Sequence, residues 1–177
     1  MSCSLNRVLA LMALPLLITS LSRSVYAGDN AEERKTLKGL SGVSVLVDDL
    51  DDEIERLGLT KKNIQTDVEL RLRKAGIKVC TLEEWKGDLT IGVLHVQIGL
   101  FKRDKALEGL YSYELAVELA QSVAILRDPT IKTLAATWSA GINYGTFGSI
   151  HLKELKSTIG DSVDVFSNAF LEQNPKK

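Results

Sequence analysis

Histidine, cysteine and proline are scarce in these 177 residues: two, two and three. With only His95 and His151 present, no metal centre can be assembled from histidines. Cys3 lies ahead of the first apolar run, so it is not the lipid-bearing cysteine of a lipoprotein signal. Cys80 is then left with no internal disulfide partner and reads as a buried, inert thiol, a bridge between chains being the alternative. There is no excess of basic charge, 22 basic against 23 acidic residues, and no basic patch of the kind that binds nucleic acid. Internal repeats and low-complexity segments are absent. So are a phosphate-binding loop, a dinucleotide glycine motif and a nucleophile elbow. Gly141 to Gly148 is glycine-rich but lacks the phosphate-loop Lys-Ser/Thr, and reads as a flexible turn into the last helix. The sequence supplies no catalytic residue set, no metal set and no cofactor motif, and an enzyme is not expected.

No apolar run reaches the roughly 20 residues of a membrane-spanning helix. The run from Val8 to Ile18 is short and broken by Pro15. With Arg7 before it and Val25-Tyr26-Ala27 after it, residues 1–27 read as a secretory signal cleaved before Gly28. This predicts an exported, periplasmic or secreted protein with no stable membrane anchor once cleaved. Without Arg7 and Arg23 the remaining chain holds 20 basic and 23 acidic residues, a net charge of −3. Its length suits one domain. The boundaries expected are a mobile polar leader over 28–38, one folded domain over 39–173 and a tail over 174–177.

Within the domain the periodicities are clear. Val43, Val45 and Val47 alternate along a first strand. The acidic residues after it, Asp48, Asp49, Asp51, Asp52 and Glu53, lack the glycine and distal glutamate of a calcium loop and read as a solvated strand exit. Thr60 to Ala75 carries Ile64, Val68 and Leu72 at helical spacing. Thr60 stands as its N-cap, Gly76 as its left-handed terminator and Ile77 as the accompanying hydrophobic contact. Thr81 to Trp85 suggests a turn of helix. Leu89 to Leu100 predicts a strand whose phase slips, with a bulge placed at Gly92 to Leu94. His95 reads as an exposed or edge-facing strand residue. Ile150 to Gln173 carries the stripe Leu152, Leu155, Ile159, Val163, Phe166 and Phe170, interrupted by Gly160.

Two long alternating runs, from Tyr111 to Gly145, predict a hairpin turning at Arg127-Asp128-Pro129-Thr130. Tyr113, Leu115, Val117, Leu119, Val123 and Ile125 share one parity of the first run. Leu134, Ala136, Trp138, Ala140, Ile142 and Tyr144 share one parity of the second. The order strand, helix, three strands, helix predicts an α+β two-layer sandwich. It has a mostly antiparallel sheet of about four strands and two amphipathic helices on one face. The other hairpin parity is built from small and acidic residues: Ser112, Glu114, Ala116, Glu118, Ala120, Ser122, Thr133, Ala135, Thr137 and Ser139. It is the candidate docking face for a protein partner, a second copy included.

This element order over Val43 to Phe170, behind a signal peptide, resembles small bacterial envelope proteins. They are the LPS-assembly lipoproteins, the penicillin-binding-protein activator lipoproteins and the N-terminal domain of the Tol-Pal propeller protein. The segments Thr66 to Ile77 and Arg127-Asp128-Pro129 are similar to those of uncharacterised exported bacterial proteins. The resemblance implies a non-catalytic periplasmic adaptor with a partner in the cell envelope. The alternative is a carrier holding a small apolar ligand between sheet and helices, near Trp138, Tyr144 and Phe147.

Overall fold

A computed structural model of the chain describes residues 28–102, 109–148 and 152–175. Residues 1–27, expected as a secretory signal, residues 103–108, residues 149–151 and the last two tail residues lie outside them. The elements are α1 (Ala31–Lys35), β1 (Gly42–Val47), α2 (Asp52–Arg56), α3 (Lys61–Ala75), β2 (Val79–Cys80), α4 (Leu82–Gly87), β3 (Ile91–Lys102), β4 (Leu110–Ile125), β5 (Asp128–Gly148) and α5 (Leu152–Gln173). The fold is α+β. The sheet has five strands in the order β2-β1-β3-β4-β5. It is mixed: β1 runs parallel to both β2 and β3, and β3, β4 and β5 are antiparallel neighbours. The expectation of about four mostly antiparallel strands therefore needs correction. The two-residue β2 is too short to show a period, and the crossover through α3 makes its pairing with β1 parallel.

Helix α3 forms where its local signals place it. The Thr60 side chain accepts from the Asn63 amide. Gly76 takes φ +82°, and the amides of Gly76 and Ile77 donate to the carbonyls of Arg73 and Leu72. These two bonds close a Schellman motif, with Ile77 buried as its hydrophobic partner. Ile64, Val68 and Leu72 of α3 and Leu155, Ile159, Val163, Phe166 and Phe170 of α5 are buried in one core. That core rests on one face of the sheet, against Val43, Val45, Val47, Leu94, Val96, Ile98, Leu115, Val117, Leu119 and Trp138. Each such side chain contributes roughly 1.5–3 kcal/mol on burial, far above the cost of about 1 kcal/mol for Gly160 inside α5. The end of the flexible Arg71 side chain lies over Gly160 and pairs with Asp164 at 2.9 Å.

The predicted bulge in β3 is absent. Its ladder to β4 runs unbroken from Val93–Ala120 to Lys102–Tyr111. The mixed phase has another cause. Ser44, Cys80, Ile91 and Val93 sit on the opposite parity from the main core, yet all are buried. Helix α4, set by a Thr81/Glu84 capping box, packs against β1 and β3 there. One helix thus covers part of the face expected to be open, and β3 starts with apolar residues on both sides. Cys80 is free and buried, and burial pushes its thiol up.

The segment expected as a leader folds into the domain. Asn30 caps α1 by accepting from the amides of Glu32 and Glu33. Arg34 bridges Asp29 and Glu172, each at 2.6 Å. Leu37 is fully buried in the core. Asn174 closes the other end, accepting from the Gly39 amide and donating to the carbonyls of Leu37 and Phe170.

Candidate docking face

The hairpin of β4 and β5 decides which side chains remain outside. Strand β4 keeps one phase. Leu115, Val117 and Leu119 face the helices, while Ser112, Glu114, Ala116, Glu118, Ala120 and Ser122 hold the opposite parity, the first five of them in register with Phe101, Gly99, Gln97, His95 and Val93 of β3. Strand β5 does not keep one phase. Leu119 pairs with Trp138 but Ala120 with Ala136, so Thr137 is an extra residue. Glu118 pairs with Ser139 but Ala116 with Ile142, so Ala140-Gly141 hold a second one. Gly141 takes φ +87°, a left-handed conformation that glycine alone adopts without cost.

Each extra residue reverses the faces. The apolar parity expected of β5 is therefore broken up. Trp138 stays inside, fully buried, edge-to-face with Phe166 at 5.2 Å. Leu134, Ala136, Ile142 and Tyr144 share the outward rows of Ser122, Ala120, Ala116 and Glu114. Asn143, on the expected polar parity, turns inward and donates to the Ser162 hydroxyl at 3.3 Å. Gly145 opposes Tyr113, whose ring occupies the space a β-carbon would need. The glycine-rich stretch is thus the end of a strand, which runs on to Gly148.

The ten sequence-predicted residues divide accordingly. Ser112, Glu114, Ala116, Glu118, Ala120 and Ser122 share the outer face with Ser139. Ala116 and Ser139 are buried within it, and the Ser139 hydroxyl accepts from the Gly141 amide, closing the bulge. Thr133 and Ala135 pair with Val123 and Gln121 on the helix side. Thr137 is engaged there too. Gln121 donates to its hydroxyl at 2.6 Å and also to the Thr36 carbonyl, which ties the turn after α1 to the hairpin. These three do not join the other seven.

Three residues absent from the predicted set dominate the open face. Tyr144 is 69 %, Phe101 58 % and Ile142 43 % exposed. Phe101 leans over Gly99, with ring carbons 3.4 and 3.5 Å from the place of a Gly99 β-carbon. In the next row Gly99, Glu114 and Tyr144 are in register, followed by Gln97, Ala116 and Ile142. Glu114 therefore stands between an exposed phenylalanine and an exposed tyrosine, with Glu118 two residues on. No lysine or arginine occupies these rows. His95 borders them, Nε2 to Asp48 Oδ1 at 2.6 Å. The neighbouring Asp49 turns away to Lys61 at 2.8 Å, so these two carboxylates diverge. Among the described residues no group of three or more His, Cys, Asp or Glu is placed to hold a metal. The one signal for Ile142 and Tyr144 was Gly141, an isolated glycine inside an alternating run.

Beyond the helices the hairpin continues as a two-stranded arm. The turn is Leu126–Arg127, two residues before the expected Asp-Pro turn, with Ile125 paired to Asp128. Asp128 accepts from the amide and hydroxyl of Thr130, which holds its carboxyl below the usual range. The regular ladder resumes only at Ala124–Lys132, leaving Pro129, Thr130 and Ile131 outside it.

The trio expected to line an apolar ligand cavity does not converge. Trp138 faces the helices and Tyr144 the opposite side, and the Phe147 side chain lies outside the described residues. The buried indole donates through Nε1 to Asp29 at 3.0 Å. Hydrogen bonds from Arg34 first, and then from Trp138, hold the Asp29 carboxyl below its ordinary value.

No protein-family model matches the chain, and no curated protein matches it. Among solved structures it is similar to a rare lipoprotein B from Shewanella oneidensis, with 17 % identity and a TM-score of 0.35 over 75 % of this chain and 97 % of that one.

Proposed function

We propose that this chain is an exported, non-catalytic module of the cell envelope that acts through protein–protein contact, with the open face over β3, β4 and β5 as its contact surface. The observation that carries the reading is the grouping of Phe101, Ile142 and Tyr144, large and exposed, on a sheet face that the helix layer leaves uncovered. Contiguous apolar residues rimmed by polar ones mark interaction surfaces, and aromatic side chains are the usual anchors of such contacts. Glu114 and Glu118 among them favour a partner that presents a basic residue flanked by apolar ones. Export rests on Arg7, the Val8–Ile18 run and Val25-Tyr26-Ala27.

The test is capture from envelope extracts with the wild-type protein and with a Phe101→Ser/Tyr144→Ser variant. Both positions are exposed, so the variant retains the core. The reading expects a stoichiometric partner held by the wild type and lost by the variant. Equal capture by both would remove the open face as the contact surface.

A further inference from the structure

The arm that carries the hairpin past the helices ends on an apolar residue that neither packing nor turn chemistry calls for. Leu126, at its tip, is 98 % exposed. Val123 and Ile125 continue the inward parity of Leu115, Val117 and Leu119, yet they are only half-buried and lie outside the core. Ile131 and Leu134, both exposed, follow on the returning strand. A two-residue hairpin turn favours Asn or Gly, because its preferred forms need positive φ at one or both positions. Here the two residues are Leu126 and Arg127, and neither has positive φ. The turn is held from the residues after it, by the bonds of Asp128 to Thr130. The leucine thus serves neither core nor turn, and a residue that breaks a local rule without gain elsewhere in the fold points to function. The charge of the arm also differs from that of the chain. Residues 121–134 hold two cations, Arg127 and Lys132, against one carboxylate, Asp128, on a chain whose overall charge is −1.

We propose that this tip inserts into the head-group layer of an anionic lipid surface. A protruding tip two strands wide presents little area, well short of the roughly 800 Å² per partner of a stable protein contact. A fluid lipid layer requires no matching shape and takes up the leucine as it stands. Two residues back from Leu126 the strand has risen about 7 Å, within the roughly 5–10 Å depth of interfacial insertion. At that level Lys132, paired with Ala124, meets the lipid phosphates. Arg127 buries its aliphatic stem beside Leu126 and returns its guanidinium to the head groups. The tip is separate from the Phe101–Tyr144 face, and it rests on the export reading only for meeting such a surface in the cell.

The experiment is flotation of the purified protein with two kinds of vesicle: phosphatidylcholine alone, and phosphatidylcholine with about a quarter phosphatidylglycerol. A nitroxide on the lipid chains near the head group reports contact as NMR line broadening. The proposal expects flotation with the anionic vesicles, less with the neutral ones, and broadening at the Leu126 and Ile131 methyls but not at Ile142. Leu126→Ser, at an exposed position, should weaken binding to both vesicles about tenfold. Arg127→Gln/Lys132→Gln should weaken binding to the anionic vesicles about tenfold and leave the neutral ones unchanged. Both variants should keep the wild-type urea midpoint. Any binding by residues 1–27 is common to wild type and variants, so the comparison isolates the arm. Absence of flotation, equal flotation of wild type and Leu126→Ser, or broadening centred on Ile142 would each overturn the proposal. So would a protein captured through Leu126 while the vesicles stay unbound. Loss of the envelope partner in the Phe101→Ser/Tyr144→Ser variant should leave vesicle binding unchanged, which keeps the two readings separable.

Discussion

Strands β4 and β5 pair over nearly their whole length, yet only one keeps a single phase. β4 runs 16 residues with alternation intact, and β5 runs 21 with its faces exchanged at Thr137 and again at Gly141. The difference lies in their positions. β4 is interior, bonded to β3 on one side and β5 on the other. An extra residue in it would have to be absorbed by two ladders at once. β5 is the sheet edge, and its extra residues disturb only one. Bulges collect at edges for this reason, and there they also spoil the edge as a template for stray strands. Pro129 and Lys132 act in the same sense near the arm's tip. The bulge at Gly141 has a second consequence: it brings Ile142 and Tyr144 to the side of Glu114 and Phe101. The open face owes its backing to the regular strand and its large apolar residues to the irregular one.

The sharpest test of this contrast is a single inserted glycine. Placed between Ala116 and Val117, it reverses the inward set of Leu115, Val117 and Leu119 on one side of the insertion. Those residues contribute roughly 1.5–3 kcal/mol each, together on the order of a small domain's whole stability. Loss of the cooperative urea transition is expected. The same insertion between Ala140 and Gly141 enlarges an existing bulge on one ladder, and a folded, weakened protein is expected. Equal damage from both would refute the edge argument.

A smaller but cleaner effect compares two aromatics of one strand. Trp138→Ala should cost about 3–5 kcal/mol, read from urea midpoints, because the indole fills the space beside Phe166. Tyr144→Ala, six residues along, should change stability by no more than about 0.5 kcal/mol. The face assignment fails if the two costs are similar.

The smallest effect is on pH. Trp138 of β5 is tied to Asp29, whose carboxyl sits below its ordinary value near 3.8. A depressed folded value contributes stability that is fully present above the unfolded value and is lost as pH falls through the folded one. The thermal midpoint should therefore dip below about pH 4 in the wild type. Asp29→Asn, which cannot titrate, should lack that part of the acid limb. Solvent screening keeps the effect small. Identical acid limbs would mean that the Asp29 contacts with Arg34 and Trp138 are not held in solution.

Where the sequence was legible, the determinants were local. Thr60, Gly76 and Ile77 mark the ends of α3 by chemistry within a few residues, and the stripe from Leu155 to Phe170 needs only helical spacing. β4 could be read because an interior strand must hold its phase. What could not be read depended on partners far along the chain. The two-residue β2 is defined only by its pairing with β1. The leader residue Leu37 becomes core because the α5 end and Asn174 receive it. Asp29 reaches an indole 109 residues away. For the candidate face, the β4 half was legible, and so was Ser139. The apolar anchors were not, because strict alternation placed Ile142 and Tyr144 inside, and one glycine was the only sign of the reversal.

The most direct test of the open face as a contact surface is site-specific photocrosslinking in living cells. A benzoylphenylalanine is placed in turn at Tyr144, at Phe101 and, as a control, at the exposed Lys62 of α3. The account predicts one and the same adduct from Tyr144 and Phe101 and none from Lys62. Adducts from Lys62 alone, or none from either aromatic position, would contradict it.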